Sequence, residues 1–408
     1  MRIIRTNILN PVSSSKTEFI KDAVICFDGN SIQTIESFSP TKHLHYEDRR
    51  SEVLCPGFID VHVHLSQYRI RGLYKPALLP WLQESVFPEE IRSKDDLYAK
   101  TLTRDFYNAL LRVGTTCSVI YTAPYKDACE TAFLIADEMG IRAIIGMTMM
   151  DMNAPAEMIS STEECFRDSL SLFERWHSRS TLLDYIFTPR FAPTCSRELM
   201  TLTGKFAQKN GARIQTHLSE NRDEITWVRD IFGSETYTQA YQDCGLLTPR
   251  TILAHAIHLD QDELRLIKDS GAGIAHCPDS NFYLKSGEFP LQEIKALNIP
   301  FSLGSDVGAG TSLSMPYHAK MFNFRQSVLP VEPSEAFHAI TLGAAELLGL
   351  SDRIGSLQKG KQADLVFMKP TDGDFLDESI LSRLVFYGHE YIVTETIVNG
   401  ATLYRSHI

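Results

Sequence analysis

Short apolar runs separated by stretches of helical period fill the middle of the chain, from about residue 56 to residue 350. Each run is rich in β-branched or aromatic residues and ends in polar residues or glycine, which is typical of a buried strand followed by a turn. Helices are predicted between them, for example over residues 126–139 and 333–348. Eight strands are predicted in this region, over residues 58–65, 115–121, 142–147, 185–191, 213–218, 251–257, 273–276 and 300–304.

Strands that alternate with helices over about 290 residues favour an α/β fold in which a (β/α)8 TIM-like barrel closes on itself. An open, doubly wound sheet is the alternative, but no G-x-G-x-x-G follows any of the predicted strands. We expect the barrel to occupy residues 56–352 and to be the catalytic domain.

The two ends of the chain carry a different pattern, of short β runs joined by tight turns. Asp28-Gly29 and Asn399-Gly400 each separate two such runs, and both dipeptides are typical of β-hairpins. We therefore predict that residues 1–55 and 353–408 pair with each other in one small β-domain beside the barrel.

The first predicted barrel strand carries two histidines, His62 and His64, behind a Pro-Gly turn. Side chains two residues apart on a strand share a face, so both imidazoles and the Asp60 carboxylate are expected on one side. That face gives up apolar packing, and the commonest reason is a bound metal. A second His-x-His, formed by His43 and His45, lies in a polar run without an apolar strand and is predicted to be solvated surface.

Composition and charge narrow the class of protein. The 408 residues are 43% hydrophobic and 22% charged, as in a globular protein with ample core. A net charge of −11 argues against nucleic-acid and anionic-membrane partners and favours a small-molecule substrate. The eight cysteines include no C-x-x-C pair, so neither a zinc ribbon nor a disulfide framework is indicated. Because the N-terminus lacks a signal-peptide core and no stretch approaches about 18 apolar residues, the expected location is cytoplasmic.

Ionisable residues stand where several predicted strands end. His217 lies at the end of the fifth strand with Glu220 just after it, His255 lies near the end of the sixth, and Asp306 follows the eighth. Taken singly, each has an ordinary structural explanation, such as a core histidine, a solvated glutamate or a helix cap. In a barrel these positions meet at one rim. Three histidines and a carboxylate there would form an N3O site suited to zinc or another divalent first-row metal, with a position left for water.

These positions, in this order, resemble the amidohydrolase superfamily: two histidines after strand one, one each at strands five and six, and an aspartate at strand eight. The predicted fourth strand has no lysine, so the carbamylated lysine that bridges two metals in binuclear members is lacking and one metal is implied. His217-x-x-Glu220 is similar to the single-metal deaminase branch, in which the glutamate shuttles a proton.

Five sequence blocks narrow the resemblance further, at residues 62–68, 81–88, 188–191, 217–224 and 275–281. Together they resemble the guanine deaminase family, over about residues 53–370. The resemblance implies hydrolytic deamination of guanine at C2 to xanthine and ammonia. It also implies one divalent metal per chain, Zn²⁺ with Fe²⁺ compatible, on four ligands: His62, His64, His217 and Asp306.

Catalytic roles are expected for three residues. Asp306 would accept a proton from the activated water, and Glu220 would deliver one to N3 and then assist the departing amine. His255 would orient the hydroxide or steady the tetrahedral intermediate. His217 and Glu220 are also expected to contact the substrate.

Purine recognition is assigned to Gln67 and Arg190, because a guanidinium fork suits the O6/N7 edge of guanine and an amide can both donate and accept. Phe191 is expected against the π-face of the base and Trp81 in the pocket wall, with core packing as the alternative for both. Residues 73–88, interrupted by Pro76 and Pro80, are the candidate cover of the pocket.

Other functions stay open at this point. A related aminohydrolase acting on an 8-oxopurine, a pterin or a triazine is the nearest alternative, and a barrel that has lost catalysis and serves as a scaffold is a more distant one. The cytidine-deaminase type of zinc enzyme needs H-x-E and P-C-x-x-C, and the sequence contains neither. A homodimer is common among similar proteins and is expected here.

Overall fold

The computed structural model describes residues 1–75, 77–233, 236–371 and 376–406. Fifteen strands lie in these ranges and form two sheets, one of eight strands and one of seven. The strands are β1 Arg2–Ser13, β2 Lys16–Asp28, β3 Ser31–Ser37, β4 Glu47–Pro56, β5 Phe58–His64, β6 Thr115–Thr122, β7 Arg142–Met149, β8 Leu183–Pro189, β9 Arg213–Leu218, β10 Thr251–His255, β11 Gly273–His276, β12 Phe301–Leu303, β13 Leu365–Lys369, β14 Ile392–Val398 and β15 Ala401–Arg405.

Helices follow most strands of the eight-stranded sheet. The α-helices in the described ranges are α1 Leu78–Trp81, α2 Phe87–Ile91, α3 Asp96–Arg112, α4 Lys126–Met139, α5 Thr162–Trp176, α6 Arg197–Asn210, α7 Arg222–Phe232, α8 Tyr237–Asp243, α9 Gln261–Ser270, α10 Pro278–Tyr283, α11 Leu291–Ala296, α12 Met315–Phe324, α13 Pro333–Ala339, α14 Leu342–Leu347 and α15 Ile380–Tyr387. A 3-10 helix, Leu65–Ile70, follows β5, and a π-helical turn, Leu82–Val86, joins α1 to α2.

The eight-stranded sheet runs from β5 to β12 in chain order, and every neighbouring pair is parallel. Backbone hydrogen bonds join its two edges: Asp306 N donates to His62 O at 2.8 Å, and His64 N donates to Val307 O at 2.7 Å. The sheet therefore closes, which confirms the predicted (β/α)8 barrel.

Apolar side chains from six of the barrel strands meet in one cluster, which includes Ile59, Val119 and Ile252. Ala344 and Ala345 of α14 pack against the same cluster. One end of the barrel is thus filled and covered, which leaves the carboxyl ends of the strands at the other end for a site.

The seven-stranded sheet has the order β15-β14-β13-β4-β1-β2-β3 and contains both ends of the chain. β13 pairs antiparallel with β4, where Leu365 lies opposite Pro56. The predicted small β-domain from both termini is thereby confirmed, and so is the pairing across Asn399-Gly400, whose residues have φ of 51° and 82°. The exact division into residues 1–55, 56–352 and 353–408 stays a prediction.

The prediction of one continuous helix over residues 333–348 is wrong. Residues 333–348 form two helices, α13 and α14, separated at Ile340 and Thr341. The Ile340 carbonyl accepts a hydrogen bond from Ile59 N of β5 at 2.9 Å. The backbone leaves helical geometry at the next residue, Thr341, with φ of −137° and ψ of −101°, so the helix is interrupted there.

The remaining expectations concern the cysteines, the second histidine pair and membrane spans. All eight cysteines are free, and each except Cys26 is buried. His45 is exposed, and His43 is partly buried, with Nε2 at 3.2 Å from Glu36 Oε1. Among the described helices, none has the length and apolar character needed to cross a bilayer.

Candidate functional site

Histidines and an aspartate from four barrel strands meet at the carboxyl end of the barrel. His64 and His255 are the last residues of β5 and β10, His217 lies next to the end of β9, and Asp306 follows β12. His62 lies two residues before His64 on β5. The structure therefore brings together the five side chains that the sequence predicted to meet here, which are His62, His64, His217, His255 and Asp306.

A β-bulge helps to place the pair on β5. Between Asp60 and Val63, β5 uses one more residue than its partner β6, so strict alternation of faces is broken there. Asp60 accepts hydrogen bonds from the backbone N (2.9 Å) and the hydroxyl of Ser305, and it is not part of the histidine cluster. The expectation that Asp60 shares the face of the histidines is thus not met.

The ligand atoms of this cluster are close to one another. His62 Nε2 lies 3.1 Å and His64 Nε2 3.2 Å from Asp306 Oδ1, and His217 Nε2 lies 3.2 Å from His64 Nε2. In a second grouping, one ligand atom from each of His62, His217, His255 and Asp306 lies within 4.8 Å of the others. Imidazole nitrogens and a carboxylate oxygen at this spacing fit one divalent first-row metal.

Hydrogen bonds behind the cluster orient two of the imidazoles. His217 Nδ1 bonds the Arg190 carbonyl at 2.7 Å, and His255 Nδ1 bonds Asn281 Oδ1 at 2.8 Å. Each therefore carries its proton on Nδ1 and turns an Nε2 lone pair toward the centre. Among the described residues no group hydrogen-bonds the buried Nε2 of His255, which lies 3.5 Å from Glu220 Oε2.

The charges of the site follow from its burial. Burial and the neighbouring imidazoles hold the pKa of His217 well below its usual value, and burial lowers the pKa of His64 to about 4. Burial opposes ionisation of Asp306, but hydrogen bonds to His62 and His64 hold its pKa well below the usual range. Neutral imidazoles beside an ionised carboxylate are in the protonation states that metal binding requires.

Glu220 lies beside this cluster, in the loop after β9. It is 3% exposed, and its Oε1 accepts a hydrogen bond from Ser286 Oγ at 3.1 Å. Burial and the nearby Asp306 carboxylate raise the pKa of Glu220 to about 8. A carboxyl group with a pKa near neutrality suits general acid–base work.

A pocket opens onto these groups. Its wall contains every residue predicted to contact the substrate, and its lining residues are His64, Gln67, Leu78, Trp81, Leu82, Arg190, Phe191, His217, Glu220, His255, Leu284, Asp306 and Ala309. Apolar side chains and a small number of polar groups line the pocket together, as in small-molecule sites. Three of the lining residues come from the predicted cover over residues 73–88, of which Pro76 lies outside the described residues.

The amidohydrolase family model matches residues 53–403, which is most of the chain. The chain belongs to the amidohydrolase family. The order of the candidate metal-ligating positions along the chain is the one on which the resemblance rested, and the barrel brings these positions together.

Several amidohydrolase relatives have a stated activity. The guanine deaminase of Escherichia coli is 33% identical over 97% of this chain and 92% of the relative. The solved structure of E. coli guanine deaminase matches with a TM-score of 0.94 at 30% identity, over 100% of both chains. A guanine deaminase of C. acetobutylicum with guanine bound in its active site matches with a TM-score of 0.91 at 30% identity, over 99% of this chain and 100% of that one.

Sequence reasoning missed two residues of this amidohydrolase site. Tyr121 packs its ring 4.6 Å from that of His64 and 4.9 Å from those of His62 and His217. Glu90, of α2, is buried and hydrogen-bonds both Gln67 and Arg190. Nothing in the sequence separates Glu90 from the neighbouring Glu89, because a Glu-Glu pair after a proline reads as the first turn of a helix.

Proposed function

We propose that this chain catalyses the hydrolysis of guanine at C2, with xanthine and ammonia as products. The observation that carries the proposal is the meeting, in one buried pocket, of a metal-competent cluster, a glutamate of raised pKa and the Gln67 and Arg190 side chains. Relatives that share about a third of its residues over nearly its whole length are guanine deaminases. A purine is therefore the substrate class that we assign.

One divalent metal per chain is part of the proposal. His62, His64, His217 and Asp306 would hold it, and beside them lies the Nε2 of His255, to which no described residue forms a hydrogen bond. When bound there, such an ion lowers the pKa of a water ligand from 15.7 to about 7 and so supplies hydroxide near neutral pH. Zn²⁺ suits the three nitrogen donors and one oxygen donor, and Fe²⁺ suits them as well.

The residues around the cluster would handle the protons. Asp306, held ionised, takes a proton from the attacking water as the C2–O bond forms. Glu220, with its pKa near 8, gives its proton to N3, takes up the proton of the new C2 hydroxyl as the carbonyl forms, and passes it to the amine, which leaves as ammonia as the C2–N bond breaks. Transfer of the proton on Asp306 back to Glu220 then restores both groups. His255 carries its proton on Nδ1 toward Asn281, so its Nε2 is free to orient the nucleophile by accepting a hydrogen bond.

Purine binding would use the side chains of Arg190, Gln67, Phe191 and Trp81, which line the same pocket. Arg190 presents its fork to the O6/N7 edge and Gln67 lies next to it. Phe191 contacts a π-face of the base. Trp81 forms part of the pocket wall, and its Nε1 donates a hydrogen bond to the Leu73 carbonyl at 3.1 Å. The homodimer, the role in purine catabolism and the cytoplasmic location stay predictions.

Ammonia release from guanine tests the function directly. Adenine, 8-oxoguanine, cytosine and a pterin serve as comparison substrates, and metal content is measured on the same sample. We expect release from guanine at about one metal per chain, with little from the others. If the protein contains metal but does not turn over guanine, its substrate is another heterocycle. If both metal and turnover are absent, the non-catalytic scaffold is favoured.

A further inference from the structure

Glu90 lies directly behind the purine-facing wall, outside the pocket lining itself. Its side chain is 1% exposed and is held by donors on both oxygens. Oε1 accepts from Gln67 Nε2 at 2.9 Å and from Ser66 Oγ at 3.3 Å, while Oε2 accepts from Arg190 Nη1 at 2.7 Å. A single buried carboxylate therefore connects the two side chains that face the substrate.

The carboxylate determines which end of the Gln67 amide faces the pocket. A carboxylate paired with a guanidinium can only accept, so it must receive the Gln67 NH2 group. The Gln67 carbonyl oxygen then points away from Glu90, and no donor in the described part of the chain reaches it. Gln67 consequently offers a hydrogen-bond acceptor to the pocket.

The same carboxylate anchors one nitrogen of Arg190. Only Nη1 bonds Glu90, and within the described residues no protein group accepts from Nε or Nη2. The guanidinium carbon lies 5.4 Å from the centre of the Phe87 ring, which covers it on another side. Arg190 consequently offers hydrogen-bond donors beside the Gln67 acceptor.

We propose that Glu90 is a positioning residue that sets this acceptor-beside-donor order and thereby selects purines with a 6-oxo group and an N1–H. Guanine presents an O6 acceptor next to an N1–H donor, which match Arg190 and Gln67 in turn. A 6-aminopurine presents the reverse order, a donor at position 6 and an acceptor at N1. Its amino group would meet the donors of Arg190, and its N1 would meet the acceptor of Gln67. The inference rests on the proposed guanine deaminase activity and adds the residue that determines its preference at position 6.

The test compares guanine with 2,6-diaminopurine in the wild type and in Glu90→Gln. Diaminopurine keeps the C2 amine that is released but reverses donor and acceptor at N1 and position 6. In the variant the residue-90 amide can no longer accept from both neighbours, so Gln67 is free to turn its NH2 group to the pocket. We expect the kcat/KM ratio of guanine to diaminopurine to fall about 10- to 100-fold, mainly through a higher KM for guanine.

Glu89→Gln is the matched control. Glu89 lies on the same helix and is 6% exposed, but its partners are Arg92 at 3.0 Å and the Tyr98 hydroxyl, neither of which lines the pocket. The control should change the substrate ratio less than about twofold. A ratio that moves equally in both variants would reduce Glu90 to ordinary helix packing and overturn the proposal.

The exchange variant Gln67→Glu with Glu90→Gln adds a rescue. Its residue-67 carboxylate would accept from the residue-90 amide and still offer an acceptor to the pocket, while the residue-90 carbonyl accepts from Arg190. We expect the kcat/KM ratio of guanine to diaminopurine in this double variant to be at least about tenfold higher than in Glu90→Gln. An unchanged ratio in Glu90→Gln, in enzyme that turns over guanine, would contradict the role of Glu90 alone. Wild-type enzyme that releases no ammonia from guanine would instead refute the proposed function, and this inference with it.

Discussion

Glu220 combines burial, a raised pKa and a position beside the metal-competent cluster, so its proton is the one whose loss should matter most. We predict that Glu220→Gln lowers kcat for guanine by about 10²- to 10⁴-fold, because the amide cannot exchange a proton with N3 or with the leaving amine. KM should change less than about fivefold. Steady-state kinetics with metal analysis would check this, and a loss of bound metal in the variant would instead point to a structural role.

Arg190 offers a test of fork geometry rather than of charge. We predict that Arg190→Lys lowers kcat/KM for guanine by at least about tenfold, since an ammonium group keeps the ion pair with Glu90 but cannot hold two acceptors in a plane. Kinetics on guanine would measure the loss. A decrease of less than about tenfold would make a two-point contact with the O6/N7 edge untenable.

Backbone geometry at the strand ends is as unusual as the side-chain chemistry. Ser219, His255 and Asp306 all have positive φ, at 48°, 70° and 50°. Non-glycine residues in this region carry strain of about 1–3 kcal/mol each, and such strain clusters at functional sites. The turns that aim these side chains inward are therefore part of the site, and sequence patterns do not reveal them.

The packing of β5 against β12 determines where the candidate metal-ligating histidines of β5 lie. A Cβ at Gly304 would lie 2.6 Å from the Cβ of His62 and 3.0 Å from its carbonyl oxygen. We predict that Gly304→Ala displaces β5, lowers the bound metal well below one per chain and lowers the melting temperature. Metal analysis and thermal unfolding would measure both.

Gly388→Ala is a suitable comparison for that variant. Gly388 has φ of −63°, and an added Cβ would lie 3.2 Å from Leu384 Cγ, farther than the 2.6 Å contact at Gly304. We expect full metal content and a small change in melting temperature. Equal loss of metal in both alanine variants would show that the packing of β5 against β12 has no special role.

At the level of elements, the hydrophobic pattern predicted the barrel strands well and the interruptions of strands and helices poorly. Periodicity located the barrel strands to within a few residues, since burial on both faces forces a continuous apolar run. It failed where a tertiary hydrogen bond overrides local preference, as at Ile340 between α13 and α14. It also could not show the bulge in β5, because an extra residue is defined only relative to the partner strand.

Across the whole molecule, Glu395 joins the two ends of the chain. This carboxylate of β14 has 0% side-chain exposure and pairs with Arg2 at 2.9 Å, Arg405 at 2.7 Å and Arg49. Burial opposes its ionisation, but hydrogen bonds from Arg2, Thr402 and Arg405 lower the pKa of Glu395 to about 2. The small sheet thus contains a carboxylate that folding keeps ionised.

We predict that this group contributes up to about 3 kcal/mol to the free energy of unfolding at neutral pH. Because the folded pKa is depressed, the contribution is present above about pH 4.5 and is lost as pH falls toward 2. Glu395→Gln should therefore be less stable than wild type at pH 7, and the difference should shrink on acidification. Urea unfolding at several pH values would measure it, and a difference that grows below pH 4 would contradict the ion-pair account.

Local pattern in the sequence was enough for the barrel, for the pairing of both termini and for the strand-end residues of the site. Those features depend on periodicity and on residue types at strand ends, which are written locally along the chain. The position of Glu90 behind the pocket wall was not available in this way. It bonds Gln67 and Arg190 across 23 and 100 residues of sequence, and such contacts exist only once the helices have packed on the barrel. The residue types that meet in the candidate site could thus be predicted from the sequence. The orientation of its hydrogen bonds depended on folding, because an amide or guanidinium acquires a direction only from the partners that packing gives it.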